Sequence, residues 1–568
     1  MKVYIRVYYL SSGRMSFRKD SPLHGGYCLK KNDLTKEILY YIERFEDMIK
    51  TSFGPMGNSK VLYDKESGKY LVTNDGAEIF SELLSFHPAI TIVAEAGIAT
   101  KNESGDGSII TALLCCELVK KAANLVKEGL HPIDIVEGYY EALRISLETI
   151  EKYSRPINCS DENSILALAR SVISAKLDSV SSNHIAGLII KLLAHHLQPV
   201  KDYNQLSDFL IIRGRSGGSI SDSSLFNGVL LHKSGVDLLM PKIIKNAKIA
   251  ILSNELGFKR PPSNVNVIIK DNDGIISFYK TRNDLLYGMA RELIDVGANV
   301  VLCTGNIAEE LRRFLVLNNI LAIRNVSLTD VKVLAKATGA TVVSNVKDLE
   351  PSHLGVCGSV KELIISAIDR WTLFENCLDP RYHSLLIRGS SESIVDSVKM
   401  SVQNCIKVII KAVNSGGYVY GGGSIEMRLV MHLRKAAHGY TGKRQLALLS
   451  YADALEDSII TLGVNCGIDP VFAKTQLRSA HYRGEMAGID AFTRKITNMD
   501  GSDTIDAAHV KVQYLKSATE AAITLIRTDF GYFEERIKPK PKDVVPTPVR
   551  LVREATNSAL MNFYPKNN

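Results

Sequence analysis

The chain has 568 residues, more than one hydrophobic core can serve, so its length predicts two to four domains. Hydrophobic residues make up 45% and charged residues 23%, as in a globular chain, and the net charge of +8 comes without any dense Lys/Arg block interleaved with aromatics, which argues against nucleic acid as a partner. The nine cysteines are scattered, with no C-x-x-C pair and no histidine at zinc spacing, which fits reduced core thiols in the cytosol; no apolar run is long enough for a membrane-spanning helix, and Met1 to Leu10, broken by Arg6, does not read as a signal peptide.

In chain order, Ile38, Leu39, Ile42, Phe45, Met48 and Ile49 fall at helical spacing and predict a helix over about 34–51. It stops at the glycine turn Ser52-Phe53-Gly54-Pro55-Met56-Gly57, with Lys60 just beyond. Two short β-like runs follow, 60–63 and 70–73, and the second ends in the turn signal Asn74-Asp75-Gly76. Helices from Ala77 and over 89–100 lead to Ser104-Gly105-Asp106-Gly107-Ser108-Ile109-Ile110-Thr111. Here two glycines flank one carboxylate, and an apolar run without Gly or Pro continues to Val126. This is a glycine loop feeding a helix N-terminus, whose free N–H groups and dipole attract phosphate. Asp106 faces phosphate comfortably only with a cation such as Mg²⁺ between them. The plainer reading is a helix-capping turn, and the G-K-[ST] ending of a Walker A loop is missing. Three glycine turns in succession nevertheless point to loops converging on a phosphate and a metal.

Helices fill 122–152, and a polar stretch after Pro156 marks a boundary before a helix over 164–173. Arg213 to Ser219 reads as a flexible joint by composition. Beyond it, strands at 247–252, 265–269, 298–303, 321–323 and 340–343 alternate with helices at 283–296, 307–317 and 328–338, an α/β domain running to about residue 378. Lys270 to Asp284 is polar, with Ile275, Ile276, Phe278 and Tyr279 reading as exposed: either an ordinary loop and helix or a protruding contact surface. From Leu385 the pattern turns helical, with a long helix over 392–413, the turn Tyr420-Gly421-Gly422-Gly423-Ser424 and further helices over 446–464. Thr504-Ile505-Asp506 lies in a turn-rich stretch, a last helix spans 516–526, and the Lys/Pro-rich tail after Ile537 reads as disordered. The order is helical, linker, α/β, linker, helical. The first and last parts share composition and glycine turns, which predicts one domain interrupted by the middle.

Five motifs, Phe53-Gly54-Pro55-Met56-Gly57-Asn58-Ser59-Lys60, Thr73-Asn74-Asp75-Gly76, Gly105-Asp106-Gly107, Gly421-Gly422-Gly423 and Ser517-Ala518-Thr519-Glu520-Ala521-Ala522, stand in the order found in group II chaperonins. The chain resembles that family, the archaeal thermosome and eukaryotic T-complex chaperonin, over about residues 35–530. Among the eukaryotic paralogues the likeness is greatest to the alpha subunits, on Met240-Pro241-Lys242, Asn246 to Ala250, Arg444 to Ala447 and Val510 to Ile526. The resemblance implies a multidomain, mostly α chaperonin fold. Its equatorial domain would take residues 30–156 and 414–536, its intermediate domain 157–221 and 379–413, and its α/β apical domain 222–378 with a lid protrusion near 270–284. An N-terminal extension, 1–29, and a C-terminal tail, 537–568, flank them. It also implies a cytoplasmic double ring of paralogous subunits that uses ATP and Mg²⁺ to act on unfolded proteins, with neither nucleic acid nor membrane as partner. Position by position, Asp106 resembles the Mg²⁺ ligand, and Phe53, Gly54, Pro55, Gly107 and Ser108, with Ile109 and Ile110, the nucleotide contacts. Gly422 and Asp506 correspond to the ribose and adenine end, Lys176 to the lysine sensing the γ-phosphate, and Asp75 to a carboxylate positioning the attacking water.

The chain departs from the family pattern at three points. The water-activating Asp of the long helix is Asn404, between Gln403 and Cys405, and an amide cannot take a proton from water as a carboxylate does. The hydroxyl run after the glycine loop becomes Ser108-Ile109-Ile110, and the Pro before Gly421 is Tyr420. Nucleotide binding with slow or absent hydrolysis is the expectation. The competing readings are a non-hydrolysing structural or assembly protein with this fold, and a small-molecule kinase relying on Lys60.

Overall fold

The computed structural model describes residues 26–63, 68, 70–84, 87–159, 161–174, 177–194, 203–257, 272–366 and 369–534. The chain forms two compact units, Met1–Ile38 with Thr528–Asn568, and Leu39–Arg527. In the first, strand Gly26–Lys30 pairs antiparallel with Phe530–Glu534, Gly26 opposite Glu534.

The second unit holds a layer of helices around Ser108–Lys127. The first half of that helix is apolar on every side: Ala112 to Cys116 and Leu118 are all fully or almost fully buried, which requires neighbours all round. Pro88–Ser104, Lys443–Asn465 and Ala508–Arg527 supply them. Proline at the first turn starts Pro88–Ser104, Pro132–Tyr153 and Pro470–Tyr482, each capped by the residue before it, His87, His131 and Asp469. Buried hydroxyls lock the layer: Tyr139 Oη donates to the Leu118 carbonyl at 3.0 Å, and Tyr451 and Thr519 share a 2.9 Å hydrogen bond. Glu456, with no exposed side-chain surface, is matched by Arg434, Lys474 and Arg478 at 2.8, 3.1 and 2.5 Å.

A nine-stranded mixed sheet forms the other architecture, in the order Leu210–Ser216, His383–Gly389, Ser224–Leu231, Arg370–Cys377, Gly355–Ile364, Ile243–Leu252, Val300–Cys303 and Leu321–Ile323, with Val342–Val343 also on Ile243–Leu252. Pairing is parallel at the two ends and antiparallel between. Leu286, Ala290 and Leu293 of helix Asn272–Asp295, Leu311 and Leu315 of Glu309–Leu317, and Leu334 of Leu328–Thr338 are buried in one core with residues of this sheet.

Several expectations change. Arg213 to Ser216 is no joint; it belongs to strand Leu210–Ser216, parallel to His383–Gly389. Gly214 is there because helix Glu392–Lys411 comes close: a Cβ would lie 2.4 Å from Val395 Cγ1. The chain is also still a strand, not a helix, at Leu385. His383–Gly389 is buried on both faces, so it shows none of the alternation that marks a half-buried strand. Helix Asn272–Asp295 covers most of the polar stretch 270–284, and Ile276, Phe278 and Tyr279 are exposed on it. The expected strand 265–269, the side chain of Ile275 and the tail after Ile537 lie outside the described residues.

Candidate functional site

Helix Pro88–Ser104 ends on Gly105 at φ 92°, whose N–H donates to the Lys101 carbonyl at 2.8 Å. Helix Ser108–Lys127 begins after Gly107 at φ 94°, a residue with no side chain to cap it. Both glycines are required by backbone sign. Gly105 is also required by space, since a Cβ would sit 2.9 Å from Val408 Cγ2 and 3.1 Å from the Asn404 carbonyl oxygen. The turn is pinned from within: the Ser104 hydroxyl lies 2.8 Å from the Asp106 carbonyl oxygen, and Thr111 Oγ1 donates to the Gly107 carbonyl at 2.7 Å. Asp106 stands exposed at its tip. The N-terminus of a twenty-residue helix, with the Asp106 carboxylate beside it, suits a phosphate bridged by a cation.

Turn Asn74-Asp75-Gly76 closes on this loop. A Cβ on Gly76 would lie 2.6 Å from Ser108 Oγ and 2.5 Å from Ile109 Cγ1. Asp75 is buried and caps helix Gly76–Leu83, accepting from the Ala77 N–H at 3.0 Å. Both its carboxylate oxygens also lie 2.6 Å from Lys101 Nζ. Sequence reasoning missed Lys101. A basic residue in the last turn of a helix is ordinary dipole chemistry, and its partner is 26 residues away.

Helix Glu392–Lys411 lies along the same loop. Lys407 donates to the Asn102 carbonyl, and Lys411 reaches the Glu103 carbonyl and, at 2.6 Å, its carboxylate. Asn404 is half-buried, with its carbonyl against Gly105. Burial and then the Asp106 charge push up the neighbouring Cys405 thiol, which sits 3.8 Å from the Ala169 carbonyl oxygen.

A second group forms around Gly421 to Gly423, ahead of helix Ser424–Ala437. Strand Tyr418–Tyr420 pairs with Ile505–Ala507, bringing Val419 opposite Asp506. Gly422 accepts from the Ile489 N–H at 2.8 Å, and a Cβ on Gly421 would lie 3.2 Å from the Asp506 carboxylate. Asp506 accepts from Ser171 Oγ at 3.0 Å and pairs with Lys511 at 2.7 Å. Burial alone would lower the Lys511 pKa, but Asp506 and Glu426 outweigh it and raise it. At the first position of the helix, Ser424 Oγ is fully buried with no hydrogen-bond partner among the described residues. Tyr420, in place of a proline, is held instead by Asp500 at 2.6 Å and by Arg155 at 4.8 Å over its ring.

The third group is the turn at Phe53, Gly54 and Pro55. Asn465 Nδ2 donates to the Lys50 and Phe53 carbonyls, each at 2.8 Å. Lys60 donates to Thr51 Oγ1 at 2.5 Å, and burial lowers its pKa. Helix Lys443–Asn465 is the shared floor: Leu462 lies under Gly54, and Ile459, one turn earlier, under Gly423. Helix Ala508–Arg527 links the others, with Val510 and Tyr514 against Gly107 and Lys511 on Asp506. Ile110 is half-buried in the first turn of its helix. Lys176 lies outside the described residues. Among the described residues no cluster of three or more His, Cys, Asp or Glu can hold a metal, so a cation at Asp106 would need most of its ligands from phosphate and water.

A family model described as the TCP-1/cpn60 chaperonin family matches residues 45–530. The chain is 33% identical over 485 residues to thermosome subunit alpha of Archaeoglobus fulgidus, an overlap of 85% of this chain and 89% of that protein. It is 33% identical to thermosome subunit beta of Desulfurococcus mucosus, covering 85% of this chain and 96% of that one. Against thermosome subunit beta of Sulfolobus acidocaldarius the identity is again 33%, over 86% and 88%.

Proposed function

The chain belongs to the TCP-1/cpn60 chaperonin family as a group II chaperonin subunit, and from that premise we propose that it binds ATP with Mg²⁺ at the Gly105-Asp106-Gly107 loop but cleaves it slowly. In this reading it works in a cytosolic double ring with paralogous subunits, closing a built-in lid over unfolded proteins. Residues 30–156 and 414–536 form the equatorial domain, 157–221 and 379–413 the intermediate hinge, and 222–378 the apical domain. The likeness to T-complex alpha subunits is part of the same proposal, and co-purification of paralogous chains tests it.

The observation that carries the reading is the seating of the glycine loop on the backbone carbonyl of Asn404, which brings this residue's helix to the loop. The loop keeps what binding needs: two glycines at positive φ, the N-terminus of helix Ser108–Lys127 and Asp106. The buried Ser424 Oγ, without a hydrogen-bond partner among the described residues, marks a second polar contact at the Gly421 to Gly423 turn. A bound cation would supply charge neutralisation on the phosphates. The chain's own part is to hold the phosphates on backbone N–H groups and to orient a water, work that is mostly positioning and electrostatics. At the water, Asn404 offers an amide where a carboxylate would accept a proton.

Single-turnover ATP hydrolysis by assembled rings tests this. Asn404→Asp is expected to raise the rate constant about 10-fold or more, with the affinity for a fluorescent ATP analogue unchanged. A variant that binds the analogue and gains nothing counts against the proposal. The second reading, a non-hydrolysing structural protein, draws on the full engagement of Asp75 by Lys101. A monomer on a sizing column instead of a double ring would favour it.

A further inference from the structure

Lys101 stands between Asp75 and helix Glu392–Lys411, which carries Asn404. Its ammonium is 2.6 Å from each oxygen of Asp75, and the two side chains are only 10% and 7% exposed. On its other side it lies 3.8 Å from Met400 Sδ. Met400, Asn404 and Val408 follow at four-residue spacing on helix Glu392–Lys411 and so share a face. Val408 and the Asn404 carbonyl are what Gly105 rests on. The cation therefore sits one helical turn from Asn404, within the wall that carries the glycine loop. Asp75 has little acceptor capacity left for water, since one oxygen also takes the Ala77 N–H at 3.0 Å and both face the ammonium.

We propose that Lys101 is a positioning residue that withholds Asp75 from water, so that the Asp75–Lys101 pair, together with Asn404, sets how slowly this chain cleaves a bound nucleoside triphosphate. This rests on reading the loop as a nucleoside triphosphate site. In the step concerned, the water oxygen bonds to the terminal phosphorus and the bond to the bridging oxygen breaks. The leaving diphosphate takes that bond pair, and the proton of the water goes to a carboxylate or phosphate oxygen. A carboxylate tied to an ammonium and to its own helix N-terminus is a poor acceptor for that proton and a poor guide for that water. The charges agree with this assignment. One cation on one carboxylate is neutral, whereas an acid restored at 404, one helical turn from Met400, would put a second carboxylate near Lys101.

The test compares assembled rings of the parent, Lys101→Met, Asn404→Asp, the Lys101→Met/Asn404→Asp double variant and Lys101→Arg. Three quantities are read: affinity for a fluorescent ATP analogue, the single-turnover rate constant, and the melting midpoint without nucleotide. The double variant is expected to cleave at least about 10-fold faster than Asn404→Asp, with analogue affinity within roughly twofold of the parent. Lys101→Arg keeps the pair and is expected to match the parent. The melting midpoint is expected to fall by a few degrees in the Met variants, which leave a buried carboxylate without its cation. Should they fail to assemble, Lys101→Gln, which keeps a donor but removes the charge, takes their place with the same expectation. A double variant that binds the analogue and is no faster than Asn404→Asp overturns the inference and leaves the binding site standing. Loss of analogue binding in every Lys101 variant except Arg makes Lys101 a structural pin and overturns it too. A parent that binds no analogue removes the nucleotide reading, and this inference with it.

Discussion

At the scale of the residue, Gly105 does more than turn the chain. Its positive φ and its contact with Asn404 and Val408 set where the helix N–H groups point. Gly105→Ala would place a methyl at 2.9 Å from Val408 Cγ2 on a backbone of unfavourable sign, at a cost of about 1–3 kcal/mol. The denaturation midpoint is expected to drop, and ATP-analogue affinity to fall about 10-fold; an Ala variant with parental affinity would show that the loop does not carry binding. Gly105 and Asp106 are legible in the sequence because they belong to a local signal, a glycine turn before an apolar run, whereas Asn404 is singled out only by the family resemblance. Lys101 is not legible, because its meaning lies in Asp75, which only folding brings to it. Asp506 is half legible: it lies beside the glycine turn, but nothing in the sequence shows Ser171 and Lys511 on its oxygens.

At the scale of the element, helix Glu392–Lys411 acts as a clasp on the C-terminal end of Pro88–Ser104. Lys407 and Lys411 sit on the last carbonyls of that helix, where cations complement its dipole. These contacts are partly exposed, so removing each lysine is expected to cost only about 1 kcal/mol. A double Lys407→Ala/Lys411→Ala variant should let amides 105–108 exchange with solvent about 5-fold faster or more, measured by hydrogen exchange. Unchanged exchange there would mean that Val408 packing alone seats the loop. The elements themselves divide by how they are buried. Helices such as Lys31–Ile49 show a clear stripe in the sequence, with Ile42, Phe45 and Ile49 buried. The sheet was only partly legible. His383–Gly389 lacks alternation because both faces are covered, and Leu210–Ser216 carries a glycine that reads as a joint when seen without Val395 above it.

At the scale of the whole molecule, the helical layer contains groups that make its stability depend on pH. His87 caps helix Pro88–Ser104 by accepting from the Ala89 N–H at 3.2 Å, and its ring stacks on Tyr41 at 4.0 Å. His481 Nε2 lies 2.8 Å from the Ala487 carbonyl oxygen, and only 3% of the residue is exposed. Burial lowers both to about 4. An unfolded histidine takes up its proton near pH 6.5, so as pH falls below that value the unfolded chain binds protons that the folded chain refuses. Stability is therefore complete above about pH 6.5, declines as pH drops, and stops declining from this source near pH 4. At pH 5 each site is expected to have lost about 2 kcal/mol. Glu456 acts in a lower window: burial alone would raise its pKa, but Arg478 and Arg434 outweigh it and lower it. Its contribution is present above the ordinary carboxylate range and disappears only as pH falls through the lowered value. Thermal melts of the parent at pH 7 and pH 5 are expected to differ by several degrees. Much of that difference should vanish in a His87→Gln/His481→Gln double variant, whose own melting at pH 7 accounts for the lost cap and packing. A parent whose melting midpoint is flat from pH 7 to pH 5 would mean that these rings reach water and protonate without unfolding the layer around them.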